Sequence, residues 1–189
     1  GGCIVYIPQR QLANLKEAVR PGKVVVIYGP HRVGKTTLLK KYLESIHEEV
    51  LFVNGDDIVI RQYLESQSIE KLRDFVGNHS LLLVDEAQYI SQELTRIRRF
   101  ARMNGVHVWI VAHPRNLVKD KDGNYRAPTM YEISGGAHWR NKADAGICLH
   151  RPDYKRAETE VIIQKTRFRE IGRLGKVELR FAQETGRYL

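Results

Sequence analysis

Short uninterrupted apolar runs alternate along the chain with stretches in which apolar residues recur every three or four positions. Runs of the first kind mark strands buried on both faces, and stripes of the second kind mark amphipathic helices. The runs are "KVVVIYG" (23–29), "EVLFVNG" (49–55), "SLLLVDE" (80–86) and "VHVWIVAH" (106–113). Between them, Leu38, Leu39, Tyr42, Leu43 and Ile46 fall on one helical stripe, and Ile60 to Val76 reads as a second helical segment. A third stripe turns Leu94, Ile97 and Ala101 inward, with Ser91 as its N-cap and Gly105 as its stop. Leu12, Leu15 and Val19 predict a short helix ahead of the first strand, ended by "RPGK". Such alternation builds a parallel sheet wrapped by helices. "AGICLHR", "ETEVIIQK" and "GKVELRFA" then predict three closely spaced strands, with a hairpin between the last two. The expected fold is α/β, a three-layer sandwich with a mostly parallel sheet and a C-terminal β-hairpin, in a single domain spanning 1–189.

One stretch breaks the pattern. From the end of the fourth run to Gly136, some twenty residues offer almost nothing to a core, yet carry Arg115, Lys119, Lys121 and Arg126. Loops this long in a compact domain are functional or disordered more often than structural. Basic side chains on a flexible, glycine-containing segment can follow a phosphate backbone without reading bases. A solvated insertion is the alternative.

Composition leans the same way. Lys and Arg number 31 against 22 Asp and Glu, a formal charge of +9 that favours a polyanionic partner, with ribosomal-style or plainly solvated charge as the alternative. Cys3 and Cys148 are too few and too far apart for a disulfide framework or a metal site, and reduced cytoplasm is the expected compartment. No apolar run is long enough to span a membrane, and "GGCIVYIPQR" lacks the regions of a signal peptide.

The sharpest chemical signal is "GPHRVGKTT" (29–37), which fits the pattern G-x-x-x-x-G-K-[ST] and sits between a strand and a helix, as a P-loop requires. Gly29, Pro30, His31, Arg32, Val33 and Gly34 would wrap phosphate oxygens with backbone N–H groups, and Lys35 would reach the β- and γ-phosphates of ATP. Thr36 would place its hydroxyl on Mg²⁺, with Thr37 near the α-phosphate. "LLLVDEAQ" delivers Asp85 and Glu86 to the carboxyl end of a strand, where ligands bind in open α/β sheets. Asp85 is the expected second Mg²⁺ group and Glu86 the expected base for the attacking water. His113, at the end of the fourth strand, is a candidate γ-phosphate sensor or a structural histidine, and Gln88 is a weaker candidate for the same work.

The chain is therefore read as a P-loop NTPase of RecA/AAA type, and two resemblances refine this. "IPQRQLANLKEAVRPGKVVVIYGPHRVGKTTLL" and "LLLVDEAQYI", within 1–89, resemble small prokaryotic AAA-like ATPases. From residue 90 onward, "ISQELTRIRRFARMNGVHVWIVAHPRNLVKDKDGNYRAPTMYEISGGAHWRNKADAGICLHR" and "QKTRFREIGRLGKVELRF" resemble the C-terminal half of phage DnaB-type (Twinkle-like) ring helicases. The two meet just after the third strand, as in a chimera. Both families are expected to set the carboxylate strand between the P-loop strand and its neighbour.

The helicase resemblance implies a phosphate-sensing role for His113 and a first DNA-binding loop holding Arg115, Lys119 and Lys121. It implies a second such loop in which Ser134, Gly135 and Gly136 offer backbone N–H groups. It also implies that Lys165 and Arg167 reach a neighbouring subunit's nucleotide; an exposed strand edge guarded by charge is the alternative. Two departures stand out. Ring helicases take the catalytic glutamate from the second strand, which here reads "VNGDD", and the linker helix that locks their ring is missing from this stretch. The expected function is a Mg·ATP-dependent ATPase of replicative-helicase type with single-stranded DNA as partner and a homo-oligomeric ring as its assembly. The alternatives are a recombined or engineered P-loop chimera that binds nucleotide without helicase activity, and an AAA-like regulatory ATPase acting on protein.

Overall fold

The computed structural model describes residues 21–44, 46, 48–115, 117, 119, 121, 124–153, 156–167, 174–182 and 187–188. The helix expected over Leu12 to Val19 lies outside them. The strands are β1 (Val24–Tyr28), β2 (Val50–Asn54), β3 (Leu81–Asp85), β4 (His107–Ala112), β5 (Ala145–His150), β6 (Glu158–Thr166), β7 (Gly175–Ala182) and β8 (Arg187–Tyr188). They form a sheet of order β2-β3-β4-β1-β5-β6-β7-β8. The first five strands of that order run parallel, and β6, β7 and β8 continue antiparallel. The expected mostly parallel sheet with a C-terminal hairpin is therefore present. β4 lies between β1 and β3, so the carboxylate strand does not adjoin the P-loop strand, contrary to expectation.

Period-two alternation sorts the apolar runs onto the two faces of the sheet. Val24, Val26 and Tyr28 of β1 pack with Leu82, Val84, Val108, Ile110 and Ala112 on one face. Val25 and Ile27 pack with Leu81, Leu83, Trp109 and Val111 on the other. The first face is covered by α2 (Ile58–Glu65), α3 (Ile69–Val76), α4 (Leu94–Asn104) and α5 (Gly136–Lys142), through Leu64, Leu72, Ile97, Phe100 and Trp139. The second is covered by α1 (Lys35–Glu44), through the expected stripe of Leu39 and Leu43 flanked by Leu38, Tyr42 and Ile46. These are the three layers.

Two local expectations are corrected. Ile60 to Val76 is two helices: Ser66 ends α2, and the Ser68 hydroxyl caps α3 by accepting from the Lys71 N–H. Such short hydroxyls compete with the helical ladder for backbone groups. Ser91 is not the cap of α4, which starts at Leu94 after Glu93. Ser91 is buried, with its side chain packed against Gly135. Gly105 does end α4.

After β4, the described residues also make contacts that the composition does not suggest. Pro114 bridges to Ile133, Lys119 to Tyr125, and Arg126 pairs with Glu132 at 2.8 Å. Glu132 caps the turn at Thr129, and Met130, Ile133 and Trp139 are buried beneath. Among the described residues no helix is long and apolar enough to cross a membrane.

Candidate active site

The carboxyl ends of β1, β3 and β4 deliver three groups to one place. β1 leads into Gly29, and no side chain fits there, because a Cβ would collide with the Leu149 carbonyl of β5 and φ is 153°. Lys35, the first residue of α1, turns back into the loop and is 4% exposed. Its ammonium donates to the carbonyls of Gly29 at 2.8 Å and Pro30 at 2.6 Å, and lies 3.1 Å from His113 Nδ1. His113 Nε2 lies 2.9 Å from Glu86 Oε1. The Thr36 hydroxyl donates to Asp85 Oδ2 at 3.0 Å, while Asp85 Oδ1 accepts from the Glu86 N–H at 3.0 Å. Gln88 donates to Glu86 Oε2 at 3.3 Å, and its own Oε1 is buried without a partner.

Hydrogen-bond inventory settles the His113 tautomer. An ammonium can only donate, so Nδ1 accepts; an ionised carboxylate can only accept, so Nε2 donates. A neutral Nε2–H imidazole satisfies both. Burial and then the Lys35 charge lower the His113 pKa, which keeps the ring neutral at pH 7. Burial alone would push the Glu86 carboxyl up, but His113, with Gln88 and His31, outweighs it and holds the group below its ordinary range. Burial lowers the Lys35 ammonium to about 8, against the opposing pull of Glu86 and Asp85.

Two features here had no sequence signal of their own. His31 stacks on His113 with ring centroids 3.9 Å apart, which no spacing rule joins across such a separation. Glu86 sits at φ 52°, a left-handed conformation that non-glycine residues adopt rarely and mostly under functional constraint. In the loop itself, His31, Arg32 and Thr37 are exposed, whereas Val33 is buried.

The remaining candidates lie elsewhere. Arg115, Lys119 and Lys121 are exposed on the segment after β4, with the Lys119 ammonium over the Tyr125 ring. The Ser134 carbonyl accepts from the Trp139 indole at 2.6 Å, and Gly135 adopts φ 74° against Ser91. Gly136 presses on the Tyr131 carbonyl, so packing demands both glycines before any ligand does. Lys165 and Arg167 are at the opposite edge of the sheet, where the Arg167 N–H donates to Asp144 and Asp144 in turn caps Val24 at the start of β1. The Lys165 ammonium donates to the Arg140 carbonyl and the Arg167 guanidinium to that of Asn141. A link missed in the sequence joins the two ends of the site: the Tyr28 hydroxyl donates to Gln164, and Gln164 donates to the Pro128 carbonyl of the long loop. Its signal is Gln164 itself, a polar residue directly after "VII".

Comparison with known proteins places this geometry. A family model described as AAA domain matches residues 21–121, more than half of the chain. The chain belongs to the AAA domain family. Over 107 residues this AAA domain is 40% identical to the Twinkle homolog protein, chloroplastic/mitochondrial, of Arabidopsis thaliana, covering 54% of the chain and 15% of that protein. Its fold is similar to that of a DnaB-like replicative helicase solved for its interactions with primase, with a TM-score of 0.69 at 17% identity, over 90% of this chain and 58% of that one. The AAA domain thus corresponds to a minor part of the Arabidopsis protein and to rather more than half of the solved helicase chain. The family match covers residues 21–121 and so extends beyond Tyr89.

Proposed function

We propose that this AAA domain binds Mg·ATP in the loop Gly29–Thr37 and hydrolyses it, and that single-stranded DNA on the loop after β4 is the partner to which turnover is coupled. The hydrolytic part rests on the chain Lys35–His113–Glu86, which joins a phosphate-binding cation to a carboxylate through one neutral imidazole. A polyphosphate suits the site for two further reasons. The desolvated Lys35 ammonium gains from any anion that replaces a loop carbonyl, and the N-terminus of α1 adds its dipole. Thr36 and Asp85 are hard oxygen donors of the kind Mg²⁺ takes, and the ion would neutralise charge on the transferred phosphoryl group.

Glu86 is ionised at neutral pH and takes the proton of the attacking water as water adds to the γ-phosphorus and ADP leaves. His113 holds that carboxylate in place through its Nε2–H, and a change of partner at Lys35 reaches Glu86 through the same ring. Lys165 and Arg167, remote from this site, would act on a neighbour's nucleotide in an oligomeric ring, with the whole of 1–189 as one domain. A second reading, a chimera with nucleotide binding but no helicase activity, draws on the divided likeness: an AAA match over 21–121 alongside helicase relatives.

The DNA part is tested by replacing Arg115, Lys119 and Lys121 with Ala together. Affinity for single-stranded oligonucleotides of different sequence falls about equally, because phosphate contacts position without reading bases. The slope of log affinity against log salt becomes shallower by about 0.7 per lost contact. Unaltered affinity and slope, measured by fluorescence anisotropy, would return the loop to a solvated insertion and favour the second reading.

A further inference from the structure

α4 carries a cationic stripe that the nucleotide site does not use. Thr95, Arg98, Arg99, Arg102 and Met103 recur at helical spacing and, with Lys142 from the last turn of α5, line a cavity of about 360 Å³. Arg102 and Lys142 lie in the last turns of helices that lead into the starts of β4 and β5. The cavity is therefore toward the edge of the sheet opposite Gly29.

Only Arg98 of its four cations has an acidic partner among the described residues. Arg98 donates to Asp144 Oδ1 at 3.0 Å, and Arg167 approaches the same oxygen at 3.7 Å. The other Asp144 oxygen accepts from the Val24 N–H at 3.0 Å. That buried carboxylate is fully committed, and among the described residues no ion pair reaches Arg99, Arg102 or Lys142.

Guanidinium forks match phosphate oxygens, and side chains three or four residues apart on a helix stand about 5 to 6 Å from one another. Arg99 and Arg102 can therefore engage successive phosphates, with Arg98 and Lys142 closing the sides, whereas a single carboxylate would satisfy one fork and leave the others facing each other. We propose that the α4–α5 groove binds a run of linked phosphates, at a site separate from the Lys35 loop. The run is either a free phosphate chain or the backbone of a nucleic-acid strand, and the two are chemically alike at this surface.

Calorimetric titration with inorganic tripolyphosphate tests it on three proteins of this chain: the parent, Arg99→Gln with Arg102→Gln, and a control with Lys71→Gln and Arg156→Gln that removes the same charge elsewhere. The groove variant loses one equivalent of bound tripolyphosphate relative to the parent, and the control loses none. This holds whether the Lys35 loop supplies a second equivalent or not, so failure of the nucleotide reading changes the parent's count without changing the difference. Lys142→Gln, on another helix, weakens the same equivalent at least about threefold, which guards against misfolding of the double variant. Competition by a single-stranded oligonucleotide for that equivalent assigns it to nucleic-acid backbone, and lack of competition assigns it to a free phosphate chain. Equal stoichiometry and affinity in parent and groove variant, or an equal loss in the control, would overturn the proposal.

Discussion

A buried ammonium with three protons and three protein acceptors is the residue on which this account turns. Lys35 must be charged to hold phosphate, and burial sets its pKa at about 8. Phosphate favours the charged form and raises that value in the complex, so affinity for ATP is full below about pH 8 and falls as pH rises through it, by up to about tenfold per unit. Calorimetry across this range checks the sign; a flat profile through about pH 9 would contradict the assignment. Lys35→Ala abolishes detectable ATP binding at every pH, with the melting transition as a control for folding. The motif residues were legible in the sequence because their spacing is itself the chemistry: a turn, a helix start, a lysine and a hydroxyl in one short span. The His31–His113 stack and the Gly29–Leu149 contact were not, because each depends on which strand the fold lays beside β1.

At the scale of elements, what could be read depended on how local the deciding force was. β1, β3 and β4 are continuous apolar runs buried on both faces, and their pattern alone predicts them. The division between α2 and α3 rests on one serine hydroxyl choosing to cap, a choice that periodicity over 60–76 does not register. The long segment after β4 misleads in the other direction. Its composition is that of a loop, but Met130, Ile133 and Trp139 anchor it to the face that β1 and α4 share. Trp139 is fully buried and its indole donates to the Ser134 carbonyl. Trp139→Ala therefore destabilises the domain by about 3 to 5 kcal/mol, read from the denaturation midpoint in urea. A loss under about 1 kcal/mol would mean that the segment folds independently of this anchor.

For the molecule as a whole, order along the sheet decides which groups can cooperate. The sequence of strands β3-β4-β1 brings Glu86, His113 and Lys35 to one edge, while β6 takes Lys165 and Arg167 to the other. Neither of the latter faces the domain's own P-loop, so a role for them in hydrolysis demands a second copy. If Arg167 acts in trans, specific activity rises with protein concentration and Arg167→Ala lowers turnover by roughly 10³ to 10⁵ in the assembled state. Turnover independent of both concentration and Arg167 would make the domain a self-contained ATPase. The most direct measurement is phosphate release at saturating Mg·ATP by the parent and by Glu86→Gln, with ATP binding measured on the same samples. The account predicts binding within a few-fold of the parent and hydrolysis reduced by roughly 10² to 10⁴, because the amide cannot take a proton from water. Equal turnover in the two proteins would contradict it.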